Sequence, residues 1–212
     1  NMGCPVPKVT KCGEGSALMN DPGRAADIVR ACCDSSGGRP VTVKHRLGFD
    51  DDKIVAPGFA AKMQEAGAAA VTVHGRTARQ GYGGVADWDA IAEVAEAVTI
   101  PVIGNGDITS IDDAVRKISK YGCAGASIGR GALGRPYVFS DSPRDRVKTI
   151  LRHIRYALSY MPESVAVRTM RKHICKYLAG VPGTKELRLK VNGVESADEL
   201  IAGIKTLEEP LC

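Results

Sequence analysis

The sequence predicts an α/β chain built as the C-terminal half of a (β/α)8 barrel followed by a small all-α helical domain. Three observations carry this expectation. Short β-branched runs begin near residues 41, 70, 101 and 125, with one helical segment between each pair, which is the rhythm of β/α units around a parallel sheet. Each run ends in a polar or glycine-rich group, namely Lys44, His74, Asn105-Gly106-Asp107 and Gly129-Arg130. A barrel gathers its chemistry at the carboxyl ends of its strands, whereas an open sheet does so at a switch point. Beyond residue 140 the alternation stops and apolar residues recur at helical spacing. The expected domains are 1–140, the half-barrel, and 141–212, the helical part. Four strands are half of what a barrel requires, so the first half is expected upstream of Asn1, with a strand running into that residue.

Residues 1–18 read as one long loop. Cys4 stands between Gly3 and Pro5, and the run Gly13-Glu14-Gly15-Ser16-Ala17-Leu18 follows; glycine and proline punctuate the backbone rather than build elements. Asp21 and Pro22 open a helix over 22–33 as N-cap and first-turn residues. Residues 40–44 form a strand, 57–67 a helix closed by Gly67, and 70–74 the next strand. A helix over 87–97 sets Trp88, Ile91 and Val94 on one face. A strand over 100–103, a helix capped by Ser110 and running to Tyr121, and a last strand over 125–128 complete the units. In the helical part, Val147, Ile150, Leu151, Ile154 and Leu158 form one apolar stripe and Val167, Met170, Ile174 and Tyr177 a second. A third helix starts after Gly183-Thr184, and a fourth spans 196–209.

The composition of the 212 residues, 44% hydrophobic and 25% charged, is that of an ordinary globular chain. No apolar run approaches the roughly 20 residues of a membrane helix, and no signal peptide is visible. Seven cysteines with no Cys-x-x-Cys pair argue against a zinc site and against a disulfide framework; a reducing cytoplasm is the expected setting. Charge is unevenly spread. Residues 1–140 hold 16 Lys and Arg against 15 Asp and Glu, residues 141–190 hold 12 against 4, and residues 191–212 hold 1 against 5. The basic segment suits a polyanion partner, with a solvated helix face as the alternative. Within it, Arg168, Arg171, Lys172 and Lys176 stand at i, i+3, i+4 and i+8, a spacing that puts them on one helix face.

Thiols are mostly protonated near neutral pH, so Cys4 in its Gly-Pro turn is a candidate proton donor; a buried structural cysteine is the alternative. Gly129-Arg130-Gly131 lies between a strand and a short helix, where backbone N–H groups and an arginine clamp hold phosphate. With Gly104-Asn105-Gly106-Asp107 at the preceding strand end, it matches the phosphate site that the last two loops of a barrel frequently build. Lys44 and His74 point into the same mouth. An electron-rich ring with a phosphate tail suits this layout, and flavin mononucleotide (FMN) is such a group.

The runs NMGCPVPKV, GEGSAL, VTVKHRLG, VTVHGRT with QGYGGVADW, PVIGNGDI, SIGRGALGRP and RTMRKH together resemble the tRNA-dihydrouridine synthases. They occur in family order over nearly the whole chain, and the bacterial branch once called nitrogen-regulation-like proteins is the most similar group. The resemblance implies an FMN-dependent enzyme in which NADPH reduces the flavin, hydride passes to carbon 6 of a uracil in tRNA, and a cysteine protonates carbon 5. It makes Cys4 the proton donor and Lys44, His74, Asn105, Gly106, Asp107, Gly129 and Arg130 the flavin contacts. It assigns the helical segment after about Arg144 to tRNA docking, and Lys8, Arg76, Arg79, Arg168, Arg171, Lys172 and Lys176 are the expected contacts to tRNA. Ala78 stands where many relatives have arginine, and Arg79 follows it, so that local contact is expected to shift. Three other readings stay open: a barrel flavoenzyme acting on a small pyrimidine, a non-enzymatic RNA-binding protein on a degenerate barrel, and an inactive fragment.

Overall fold

The computed structural model describes residues 1–139 and 145–207. The chain divides into two compact units, Asn1–Gly131 and Ala132–Cys212. The boundary expected at 140/141 falls outside the described residues, and the division comes earlier. Residues 132–139 go with the helices because Gly134 lies tight against the last turn of a helix there: a Cβ on it would sit 2.4 Å from the Lys176 carbonyl oxygen.

The first unit opens with two short helical turns where one loop was expected: α1 (Pro7–Thr10) and a 3-10 turn at Gly15–Asn20. Four strands follow, β1 (Thr42–Arg46), β2 (Ala70–His74), β3 (Val102–Asn105) and β4 (Gly125–Ser127). They form one parallel sheet in sequential order. The intervening helices are α2 (Pro22–Ser35) before β1, then α3 (Ala56–Glu65), α4 (Trp88–Ala97) and α5 (Ile111–Tyr121). The starts of α2, α4 and α5 are fixed by side-chain oxygens: Asp21 accepts from the Arg24 N–H, Asp87 from Ala90 and Ser110 from Asp113, each satisfying an otherwise orphaned donor. Gly122, with φ of 64°, closes α5 in the left-handed conformation.

The period of two along each strand separates packing from chemistry. One set, Val43, Val71, Val73 and Val102, packs against Phe59 and Met63 of α3 and Ile91 and Val94 of α4. The alternate set faces the other way and is mostly polar. β3 needs glycine at 104, because a Cβ there would lie 2.3 Å from a ring carbon of Trp88. The Trp88 indole N–H then reaches the Gly106 carbonyl at 3.1 Å. Before β1, the Met2 N–H donates to the Lys44 carbonyl at 2.7 Å and Met2 pairs with His45 in parallel fashion, so the free edge of β1 carries the segment leading to Cys4.

The second unit holds α6 (Arg146–Tyr160), α7 (Glu163–Tyr177), α8 (Lys185–Val191) and α9 (Ala197–Lys205). Ile150, Ile154, Met170, Ile174, Leu178 and Leu200 are almost fully buried in its core; each such side chain contributes about 1.5–3 kcal/mol. The expected end of the last helix at Glu209 lies outside the described residues. No helix among the described residues is long and apolar enough to cross a membrane.

Gly104→Ala is expected to destabilise the first unit by about 1–3 kcal/mol, the usual result of overpacking, while Ala124→Gly at an exposed position changes little. Denaturant unfolding followed by Trp88 fluorescence checks this.

Candidate active site

Cys4 is held through backbone carbonyls, its own and that of Gly3, rather than through its sulfur. The Ser16 N–H and hydroxyl both donate to the Cys4 carbonyl at 3.0 Å. Gly15, with φ of 59°, allows that approach, since a Cβ on it would sit 2.6 Å from the same oxygen. On the other side the Arg46 Nε donates to the Gly3 carbonyl at 2.8 Å. The turn is therefore clamped from both flanks, by the glycine-serine run after it on one side and by Arg46 on the other.

β1 extends two residues beyond the expected strand end, so Lys44 sits within the strand and Arg46 terminates it. Both belong to the face that also carries His74 and Asn105. Strand register lines up Arg46, His74, Asn105 and Ser127 as successive neighbours across the sheet. A cavity of about 700 Å³ opens over this row, within the range of small-molecule and cofactor sites. Its lining includes Cys4, Lys44, His74, Asn105, Gly106, Asp107, Gly129 and Arg130, the full set of predicted catalytic and cofactor residues. Sequence reasoning missed Arg46, Tyr82 and Ser127, which also line it. Arg46 was legible as the residue two beyond Lys44, on the same strand face; Tyr82 is an aromatic in a glycine-rich run.

The wall after β2 and β3 is built on Arg76. Arg76 is buried, 2% exposed. Its Nη1 and Nη2 donate to the two Asp107 carboxylate oxygens at 2.9 and 2.8 Å, Nη2 also to the Gly84 carbonyl at 2.6 Å, and Nε to Gly83 at 2.8 Å. This corrects the expectation that Arg76 meets RNA: its donors are consumed inside the protein. Arg79 is exposed and pairs with Asp50; Lys8 is exposed on α1. In the helical unit the expected shared face of α7 divides. Arg168, Lys172 and Lys176 are exposed, but Arg171 turns to the Val194 carbonyl, with Nε at 3.0 Å and Nη2 at 2.5 Å, so it braces the fold and is not on the basic row.

The cavity is cationic. Lys44, Arg46 and Arg130 line it against one carboxylate, Asp107. Burial works against ionisation of Asp107, but hydrogen bonds from Arg76 and the Ala86 N–H, with the charges of Arg76 and Arg130, hold its carboxyl below the ordinary value. Burial, reinforced by Arg46, lowers the Lys44 ammonium. Burial also pushes His74 down to about 3, with Arg46, Lys44, Arg76 and Arg130 adding to it, so its ring is neutral. The Arg76 Nη1 lies 3.5 Å from His74 Nε2. A guanidinium only donates, which leaves the ring proton on Nδ1. His45, on the opposite strand face beside Phe59, is lowered to about 4 by burial, although the Arg46 carbonyl works the other way.

A family model described as dihydrouridine synthase (Dus) matches residues 1–210. The chain belongs to the dihydrouridine synthase family. A relative in Mycobacterium tuberculosis strain H37Rv, named "Probable tRNA-dihydrouridine synthase", is 42% identical over 217 residues, which cover 94% of this chain and 56% of the relative. One of the same name in Rickettsia conorii is 41% identical over 206 residues, covering 91% and 62%. The chain thus spans little more than half the length of these dihydrouridine synthase relatives. A nitroalkane oxidase from Streptomyces ansochromogenes aligns with a TM-score of 0.34 at 16% identity, covering 97% of this chain and 70% of that one; at that score the likeness carries no argument.

His74 and His45 take up protons less readily when folded than when unfolded. Their contribution to stability is present above the unfolded value near 6.5 and is lost as pH falls toward about 3 and 4. Thermal melts are therefore expected to be flat between about pH 8 and 7 and to fall progressively below about pH 6.5, with a smaller decline in His74→Asn.

Proposed function

We propose that the first unit is one half of a (β/α)8 barrel and that the whole protein reduces specific uridines in tRNA to 5,6-dihydrouridine, in a reducing cytoplasmic setting. The observation that carries this reading is the meeting of Cys4 with Lys44, Arg130 and the glycine loops around one cationic cavity, in a chain whose family is dihydrouridine synthase.

The residues fit FMN. Gly129 lines the cavity, and a Cβ on it would meet nothing within 4 Å, so bare backbone faces open space there. Gly131 packs so closely on the previous loop that a Cβ would lie 2.3 Å from the Ile108 carbonyl oxygen. The loops after β3 and β4 therefore form one wall, with Arg130 beside it to pair with phosphate. Lys44 and the neutral His74 would meet the ring system, and Asn105, whose Nδ2 donates to the Ser127 carbonyl at 2.8 Å, would present its side-chain oxygen. The chemistry a bound flavin supplies, with NADPH as reductant, is hydride for carbon 6 of the uracil.

Cys4 gives its proton to carbon 5, so the ring double bond is replaced by two C–H bonds and the thiolate is left to be reprotonated. Arg46 and Ser16 keep that sulfur's turn in place. The target base must leave the folded RNA to enter the cavity. Lys8, Arg79 and the exposed row Arg168, Lys172 and Lys176 would hold the backbone; phosphate contacts of this kind position the nucleic acid without reading its sequence.

In the full-length protein, Cys4→Ala is expected to abolish dihydrouridine formation in tRNA while NADPH oxidation by the flavin continues. Near-normal dihydrouridine formation in that variant would remove Cys4 from the mechanism. Replacing Arg168, Lys172 and Lys176 together by alanine is expected to lower the slope of log Kd against log salt by about 2–3, close to one per lost phosphate contact, whereas Arg171→Ala lowers stability instead.

A further inference from the structure

α6 carries Arg146, Lys148, Arg152 and Arg155 and no carboxylate between Arg146 and Tyr160. Its apolar stripe, Val147, Ile150 and Ile154, is spent in the core of the unit. What remains outward is unusual for a solvated face. Tyr156 is 52% exposed and Tyr160 85% exposed. Arg152 lies one turn before Tyr156. Its Nη2 donates to the Tyr156 hydroxyl at 2.9 Å, and its guanidinium carbon stands 5.4 Å from that ring's centroid. Tyr160 has no hydrogen bond or ring contact among the described residues. Residues 152, 156 and 160 follow at i, i+4 and i+8, so they share one face over about 12 Å of helix.

We infer that this arginine–tyrosine row is a stacking platform for unpaired nucleotides of the RNA substrate, separate in kind from the charge-only row on α7. The inference rests on the RNA substrate of the proposed function and adds a mode of contact to it. Exposed aromatic rings beside guanidinium planes take the faces of unstacked bases, and Lys148 and Arg155 on the same helix supply cations for the adjoining phosphates. Paired RNA hides its base faces and gains nothing from the rings. A membrane surface would require an apolar outward face, and the aliphatic residues of α6 are buried or, at Leu158, packed partly buried against the core.

The test measures binding of an unmodified tRNA transcript, an oligouridylate and a fully paired RNA stem to the full-length protein by fluorescence anisotropy across a salt series. Tyr156→Ala with Tyr160→Ala is expected to weaken tRNA and oligouridylate binding by about ten- to a hundredfold, with the salt slope unchanged and the paired stem unaffected. Tyr156→Phe with Tyr160→Phe is expected to restore binding, because the rings remain. Both positions are exposed, and circular dichroism verifies that the variants are folded. Unchanged tRNA binding in the alanine variant overturns the platform, as does a loss shared equally by the paired stem, a shallower salt slope, or failure of the phenylalanine rescue. In those cases continued dihydrouridine formation leaves the proposed function standing, whereas wild-type protein that binds no tRNA removes both.

Discussion

The cavity depends on a guanidinium that never sees water. Burying an arginine costs several kcal/mol unless its donors are used, and Arg76 uses them on the loop after β2, at Gly83 and Gly84, and on Asp107 after β3. Those loops would otherwise have little to hold them, since Gly81 and Gly84 both adopt positive φ and the surrounding residues 82–85 are exposed. Arg46 repeats the device on the opposite side, joining the Gly3 carbonyl to those of Thr77 and Gly81. Two arginines thus tie the Cys4 turn and the loops after β2 and β3 into one rim of the cavity. Tyr82, carried on that exposed glycine-rich stretch, meets Arg130, whose guanidinium carbon lies 4.5 Å from its ring centroid.

The β/α units were legible because buried parallel strands are short runs of Val and Ile between turn-forming residues, and because helices announce their starts through Asp21, Asp87 and Ser110. The strand ends were less so. Nothing apolar marks the continuation of β1 through His45 and Arg46, and only pairing with β2 settles it. The gathering of Cys4 with the later strand ends followed from their common position at carboxyl ends, which topology turns into proximity. What the sequence could not disclose was the direction of individual arginines. Arg76 and Arg171 sit among polar neighbours exactly as surface residues do; carbonyls at Gly83, Gly84 and Val194, distant in sequence or set in irregular loops, take their donors. The short helical turns after Cys4 were hidden for a related reason: proline and glycine there begin or permit turns as readily as they break elements.

The two units carry positive charge in different physical settings. In the cavity, Lys44 and Arg46 are partly or wholly removed from solvent, and salt screens such groups weakly. On α6 and α7, Lys148, Arg152, Arg155, Arg168, Lys172 and Lys176 are exposed, so their attraction for a polyanion weakens as salt rises. Charge in the first setting acts at short range on whatever enters the cavity; charge in the second acts at longer range and is the part that salt weakens. The +8 balance of residues 141–190 therefore says little about chemistry, and the near balance of residues 1–140 conceals a strongly positive pocket.

Trp88 is the one tryptophan in the chain. It lies close against Gly104 on the packed side of β3, with its indole N–H bonded to the Gly106 carbonyl of the cavity wall. An emitting ring therefore stands one hydrogen bond behind the cavity wall. Its emission is thus expected to respond when the cavity fills, a reading that needs neither label nor turnover.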